Sequence, residues 1–138
     1  MKNGYLLDAC ALIAYLNDED GADVVDTLIS QSSGEDVTVS MGMVNLLEVY
    51  YGIFRDYGAD EANRVLDEIL LLPIGIISGL SYDVFREAGR LKAGYKVSLA
   101  DSVALGLASV SGNCLVTADH HEMDIIEQNE PIKFLWIR

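Results

Sequence analysis

Apolar residues along this 138-residue chain recur in two alternating rhythms: short strand-like runs, and longer stretches spaced three to four residues apart. "GYLL" (4–7) reads as a strand ended by Asp8, and "CALIAYL" (10–16) continues at helical spacing. Residues 21–30 form a second amphipathic helix with Val24, Val25, Leu28 and Ile29 on one side, closed by the loop "SSGED" (32–36). "VTVS" (37–40) is β-branched and strand-like. Residues 43–57 then carry Val44, Leu47, Tyr50, Tyr51 and Phe54 at helical intervals, with Gly58 as a stop signal, and 59–72 is a helix ended by Pro73.

"IGIIS" (74–78) is a third strand, 82–94 and the Ala- and Gly-rich 98–111 are helices, and "CLVT" (114–117) and "KFLWI" (133–137) are the fourth and fifth strands. No repeat, linker or low-complexity segment interrupts the order, so residues 1–138 are expected to form one domain. Strands alternating with helices predict an α/β fold, a mainly parallel sheet of about five strands with helices on both faces. Ligands of such sheets gather beyond the carboxyl ends of the strands.

Composition narrows the class. A chain of this length buries about two thirds of its unfolded surface. The longest apolar runs, such as "ILLLPIGII" (69–77), contain Pro and Gly and are too short to span a bilayer, so no membrane association is expected. Asp8 interrupts the N-terminal apolar stretch, which argues against a signal peptide and for a cytoplasmic protein. Cys10 and Cys114 lack a metal-ligand spacing and read as small hydrophobes, one past the end of strand one and the other at the start of strand four.

The formal charge of −13, from 22 acids against nine Lys plus Arg, repels polyanions and suits a chain adapted to high internal salt. A nucleic-acid ligand would therefore need a local cationic surface. "FREAGRLKAGYK" (85–96) supplies one: Arg86, Arg90, Lys92 and Lys96 against the single acid Glu87, with Arg86 and Arg90 one helical turn apart. The same residues would also serve as an ordinary solvated helix face.

Four acids stand where ligands gather or where apolar neighbours make a charge costly. Asp8 ends strand one, and Asp119 follows strand four by two residues. Glu48 sits among Val44, Asn45, Tyr51 and Gly52 on its helix, and Asp101 among Val97, Ser98, Ala104 and Leu105. Each has a plainer reading. Ser98 and Asp101 fit a helix start, Glu48 has Asn45 or a tyrosine hydroxyl as a partner, and Asp8 and Asp119 suit turns.

Taken together, "LLDACALIAYL", "VNLLEVYYG", "SLADSVALGLA" and "LVTADHHEMD" resemble the PIN-domain nuclease family, and most closely its VapC-like toxins of type II toxin-antitoxin systems. The resemblance spans nearly the whole chain. It implies a three-layer domain of strand order 3-2-1-4-5, and an endoribonuclease that hydrolyses RNA phosphodiesters to a 5′ phosphate and a 3′ hydroxyl. It further implies a homodimer and a cognate antitoxin protein whose peptide disturbs the acidic site. Asp8, Glu48, Asp101 and Asp119 match the family's acids one by one. Thr117 matches its hydroxyl residue two before the last Asp, and Asn45 is a supporting neighbour of Glu48. Ala9 and Cys10 replace the small hydroxyl residues that the family often places after its first Asp.

Two carboxylates about 4 Å apart repel by roughly 4 kcal/mol at an effective dielectric of 20. Four converging acids therefore call for a divalent cation, Mg2+ or Mn2+, which prefers hard oxygen ligands and keeps positions for water and phosphate. Asp8 and Asp101 are the expected direct ligands, with Glu48 and Asp119 completing the cage, positioning water or holding a second ion. A phosphatase would carry a second Asp where Cys10 stands, and a phosphoacceptor receiver would carry an Asp where Ser78 and Gly79 follow strand three. The alternative that survives is a PIN scaffold that binds RNA or a partner protein without cutting. In "TADHHEMD" (117–124), adjacent His120 and His121 are expected to point apart rather than form a zinc site, and Glu122 and Asp124 to open a short helix.

Overall fold

The hydrophobic rhythm resolves, in a computed structural model that describes residues 3–34 and 36–138, into five strands and seven helices. Glu35, within the predicted loop 32–36, lies outside the described residues. In chain order the elements are β1 (Asn3–Leu7), α1 (Ala9–Leu16), α2 (Ala22–Gln31), β2 (Val37–Gly42), α3 (Met43–Tyr57), α4 (Ala59–Leu70) and β3 (Gly75–Ile77). They continue with α5 (Tyr82–Gly94), α6 (Leu99–Ser111), β4 (Cys114–Thr117), α7 (His120–Asn129) and β5 (Phe134–Trp136).

The sheet has order β3-β2-β1-β4-β5, and every pairing is parallel, as expected from the sequence. Because successive strand side chains point to opposite faces, Leu6 and Leu115 join one core while their neighbours Leu7 and Val116 join the other. The Leu7 side is covered by α1, α2, α3 and α4, the Leu6 side by α5, α6 and α7. Both members of each pair are fully buried, which is why these strands read as continuous apolar runs rather than as alternation.

Differences from the predicted boundaries are small and have local causes. β2 runs two residues past 40 because Met41 and Gly42 pair with Ile76 and Ile77. α4 stops at Leu70 rather than 72, since a residue preceding proline is driven out of the helical region and Leu72 directly precedes Pro73. Gly58 joins α3 to α4 with a φ of +93°, a backbone conformation that side chains disfavour. Cys114 opens β4 while Cys10 lies in α1 beyond the far end of β1, and both thiols are free. No helix among the described residues is long and apolar enough to cross a membrane.

α6 is buried along Ser102–Ala108 and rests on α5 through Gly106, where an added Cβ would lie 3.1 Å from Ala88 Cβ, Ala88 N and the Val84 carbonyl oxygen. Two of these three atoms belong to backbone and cannot swing aside. Gly106→Val is expected to destabilise the fold by roughly 1–3 kcal/mol through overpacking, despite the gain from removing a helix-interior glycine. Urea unfolding checks this: the midpoint falls with an unchanged m-value, and an unaltered midpoint contradicts the close packing.

Candidate active site

Four of the predicted acids come from four separate elements, and the sheet brings them to one edge. The backbone N–H of Asp8 donates to the Val116 carbonyl at 3.2 Å, so the β1–β4 ladder carries the chain up to the site. Asp8 then turns into α1 as its N-cap, its Oδ1 accepting the Ala11 N–H at 2.8 Å. Asp119 does the same for α7, accepting the Glu122 N–H at 3.3 Å. Ser98 caps α6 by accepting the Asp101 N–H at 3.1 Å, which leaves the Asp101 carboxylate free to face the other acids. The capping role read for Ser98 is thus observed, and it is compatible with an Asp101 carboxylate that faces the other acids.

Glu48 projects from α3 into the same cleft. Asn45, one turn earlier and fully buried, does not bond to it; its amide nitrogen donates to the Ala100 carbonyl at 3.1 Å and pins α3 to the first turn of α6 beside Asp101. Thr117 is fully buried at the end of β4, where its hydroxyl accepts the Asp119 N–H at 3.0 Å and lies near enough to the Asp8 carboxylate to favour its charged form. One hydroxyl thereby bears on two acids.

Glu122 was expected only to open a helix, and the structure corrects that. Ligand oxygens of Asp101, Asp119 and Glu122 lie within 4.8 Å of one another. The spacing Asp119-x-x-Glu122 is that of a capping box, in which the third residue's carboxylate folds back onto the N-cap N–H. Here Thr117 already takes that N–H, so Glu122 is released toward Asp101. The sequence signal was present, but its usual meaning concealed the role.

The electrostatics are unfavourable without a counter-charge. Burial pushes the Asp8 carboxyl up to about 6, with repulsion from Asp119 and Glu48 adding to it, against the Thr117 and Ala11 hydrogen bonds. Asp101 is raised to about 8, by burial first, then by its hydrogen bond to Glu122 and the charges of Asp8, Glu122 and Glu48. Burial followed by Glu122 and Asp119 raises Glu48. The influences that raise these three groups are burial and neighbouring acids. A cluster of hard oxygen donors that holds excess protons fits a divalent ion such as magnesium or manganese.

The cleft, about 370 Å3, is lined by Ala9, Cys10, Ile13, Glu19, Glu48, Tyr51, Gly52, Arg55, Asp101 and Asp119. Glu48, Gly52 and Arg55 form one stripe of α3, and Arg55 is the lining cation that sequence reasoning missed. Its neighbour in sequence, Asp56, is its ion-pair partner. None of Arg86, Arg90, Lys92 and Lys96 lines the cleft. Arg86 pairs with Asp83 at 2.9 Å, and Arg90 with Glu87 and Glu130 at 2.6 Å each, while Tyr95 donates its hydroxyl to Glu130. The one group of three such ligands among the described residues contains no histidine.

Because folded Asp8 holds its proton more tightly than the unfolded chain does, the metal-free fold loses stability as pH rises from about 4 through 6, and Asp101 extends that loss toward about 8. Asp8→Asn keeps a capping side chain and removes the charge. In EDTA near pH 8 the variant is expected to be more stable than the parent by on the order of 2 kcal/mol, with the difference vanishing near about pH 4. Magnesium is expected to raise the parent's unfolding midpoint more than the variant's. Thermal melts across pH test this, and a parent more stable than the variant at the alkaline end contradicts it.

The PIN domain family model matches residues 5–126. No curated protein sequence matches the chain. Among solved structures, VapBC2 from Rickettsia felis bound to a promoter DNA fragment superposes with a TM-score of 0.72 at 17% identity, covering 96% of this chain and 97% of the other. VapBC-1 from nontypeable Haemophilus influenzae gives 0.73 at 15% identity, covering 97% and 98%. VapC20 from Mycobacterium tuberculosis, a sarcin-ricin loop cleaving toxin, gives 0.63 at 13% identity, covering 85% and 91%.

Proposed function

The chain belongs to the PIN domain family, and on that premise we propose that it is a metal-dependent endoribonuclease, the toxin of a toxin-antitoxin pair acting in the cytoplasm. The observation that carries the reading is the convergence of the Asp101, Asp119 and Glu122 oxygens beside Asp8 and Glu48, at an open cleft whose lining cation, Arg55, is ion-paired with Asp56. Asp8, Glu48, Asp101, Asp119 and Glu122 would hold Mg2+ or Mn2+. When bound, the ion supplies a more acidic water and offsets charge on the phosphate oxygens.

The chain's own residues do the rest. Thr117 and Ser98 hold the backbone at Asp119 and Asp101, which limits the reorganisation that would accompany substrate binding. Asn45 holds α6 against α3, and with it the spacing of Asp101 from Glu48. Any water between the acids has a carboxylate on several sides to orient it and accept its proton. Arg55 is placed to hold an RNA phosphate at the cleft's rim. Arg86, Arg90, Lys92 and Lys96 would contact the backbone farther off; the exposed Arg86–Asp83 pair is weak enough to yield to a phosphate, whereas Arg90 would share its guanidinium with Glu87 and the largely buried Glu130 carboxylate.

α3 also exposes Met43, Leu47, Tyr51 and Phe54 along one face, and a groove of about 420 Å3 runs beside it between α1 and α4. These surfaces support a homodimer and an antitoxin contact. Leu47→Asp is expected to convert dimers to monomers in sedimentation analysis; an unchanged dimer places the interface elsewhere.

The decisive experiment incubates the protein, free of antitoxin, with small RNA in magnesium or manganese. Cleavage is expected to stop in EDTA and to fall by at least about a hundredfold in Asp8→Asn, Asp101→Asn and Glu122→Gln. Arg55→Ala is expected to raise KM with little change in kcat. RNA binding without cleavage in either metal would favour the non-cutting scaffold, and full activity in Asp8→Asn would refute the assigned site.

A further inference from the structure

The histidine pair stands next to the carboxylate site without joining it, and His120 is built into something else. Its ring lies parallel to that of Trp136, centroids 3.9 Å apart and planes 12° apart. Trp136 in turn is stacked on Phe134, at 5.5 Å and 9°. Phe134 and Trp136 are two residues apart on β5 and therefore share a face of the strand, and His120 opens α7 directly after Asp119. Three aromatic planes from two elements are thus aligned beside the acidic cleft.

The edges of these rings are already occupied. His120 Nδ1 bonds to Asp124 at 2.7 Å and Nε2 to the Arg138 carbonyl at 2.8 Å. The Trp136 indole N–H donates to Glu127 at 3.0 Å. With both nitrogens engaged, the imidazole has none free for a metal, yet its side chain is half exposed. What it offers to the outside is a flat face, held in orientation by its hydrogen bonds and backed by two more rings.

The position of that face indicates its ligand. Arg138, whose carbonyl holds the imidazole, sends its guanidinium to Glu19 at 3.3 Å and to the Asp20 carbonyl at 2.8 Å, and Glu19 lines the cleft. The rim of the cleft therefore runs continuously into the ring stack. A ligand whose phosphate lies by Asp119 and whose adjoining part is planar, aromatic and neutral matches both surfaces. A nucleotide has those two parts, and the surrounding Asp124 and Glu127 do not repel a neutral base as they would a phosphate.

We propose that His120, backed by Trp136 and Phe134, is a stacking platform for an unpaired base next to the phosphate held at the carboxylate site. The proposal rests on the ribonuclease reading above. A base inside a duplex is covered on both faces by its neighbours, whereas an unpaired base can lay one face on an aromatic ring. His120 is a positioning residue in this scheme, acting on the base rather than on the reacting phosphate.

The test uses the Asp8→Asn protein, so that RNA stays intact, and single-stranded oligonucleotides carrying 2-aminopurine at successive positions. One position is expected to be quenched on binding, and the quenching is expected to disappear in Asp8→Asn/His120→Ala and to persist in Asp8→Asn/His120→Phe. Affinity is expected to fall about 5- to 100-fold with His120→Ala, the range for loss of one stacked base. An abasic site at the quenched position should weaken binding to the His120 protein equally but not weaken binding to His120→Ala further, a comparison that holds even if the variant is less stable. In the otherwise unaltered protein, His120→Ala should raise KM and leave kcat in place. Equal quenching and affinity with and without the imidazole overturn the platform while leaving the nuclease reading intact; failure to bind single-stranded RNA at all overturns both.

Discussion

Carboxylates crowded at one end of a parallel sheet repel one another, and much of the architecture around the cleft exists to hold them there. The first and fourth strands each deliver an acid at the turn into a helix, where the helix N-terminus favours a negative charge and the acid side chain caps the free N–H groups. Thr117 ties those two turns together with one hydroxyl, and Asn45 ties the elements that carry Glu48 and Asp101. These contacts reduce the repulsion without cancelling it, since Asp8, Glu48 and Asp101 all remain raised. A surplus of negative potential suits a cation, so on the proposed reading the cost in metal-free stability and the capacity for chemistry share one origin.

The fold was legible because its strands are buried on both faces and its helices carry regular apolar stripes. Leu6 and Leu7 illustrate this: both had to be apolar, one for each core, and no amphipathic alternation was needed to recognise β1. α3 and α5 begin and end where local chemistry says they should, with Ser81 capping the start of α5 and Gly58 ending α3. The four acids of the resemblance were legible for a similar reason, since strand ends and helix faces are set within a few residues of each.

What the sequence could not show depends on contacts between distant segments. Glu122 looked like a first-turn acid of a short helix, and only the hydrogen bond from Asp119 to Thr117, which takes the N–H a capping glutamate would bind, reveals where its carboxylate goes. The cations of α5 looked unopposed within 85–96, but Glu130, forty residues on, engages both Arg90 and Tyr95. Nothing in the sequence singled out Arg55, whose place emerges only with the cleft wall formed by Glu48, Gly52 and Arg55. Asn45 read as a partner for Glu48 and instead holds Ala100. In each case the periodicity placed the residue correctly on its element, while the identity of its partner awaited the tertiary fold.

The sole tryptophan of the chain is the middle member of the ring stack, and the ring it touches belongs to the residue directly after Asp119. Indole emission is sensitive to a contacting imidazole, so the protein carries an intrinsic optical probe within one residue of its acidic centre. On the proposed reading, a cation that shifts Asp119 on binding would be coupled to a spectroscopic signal requiring no label and uncontaminated by a second indole.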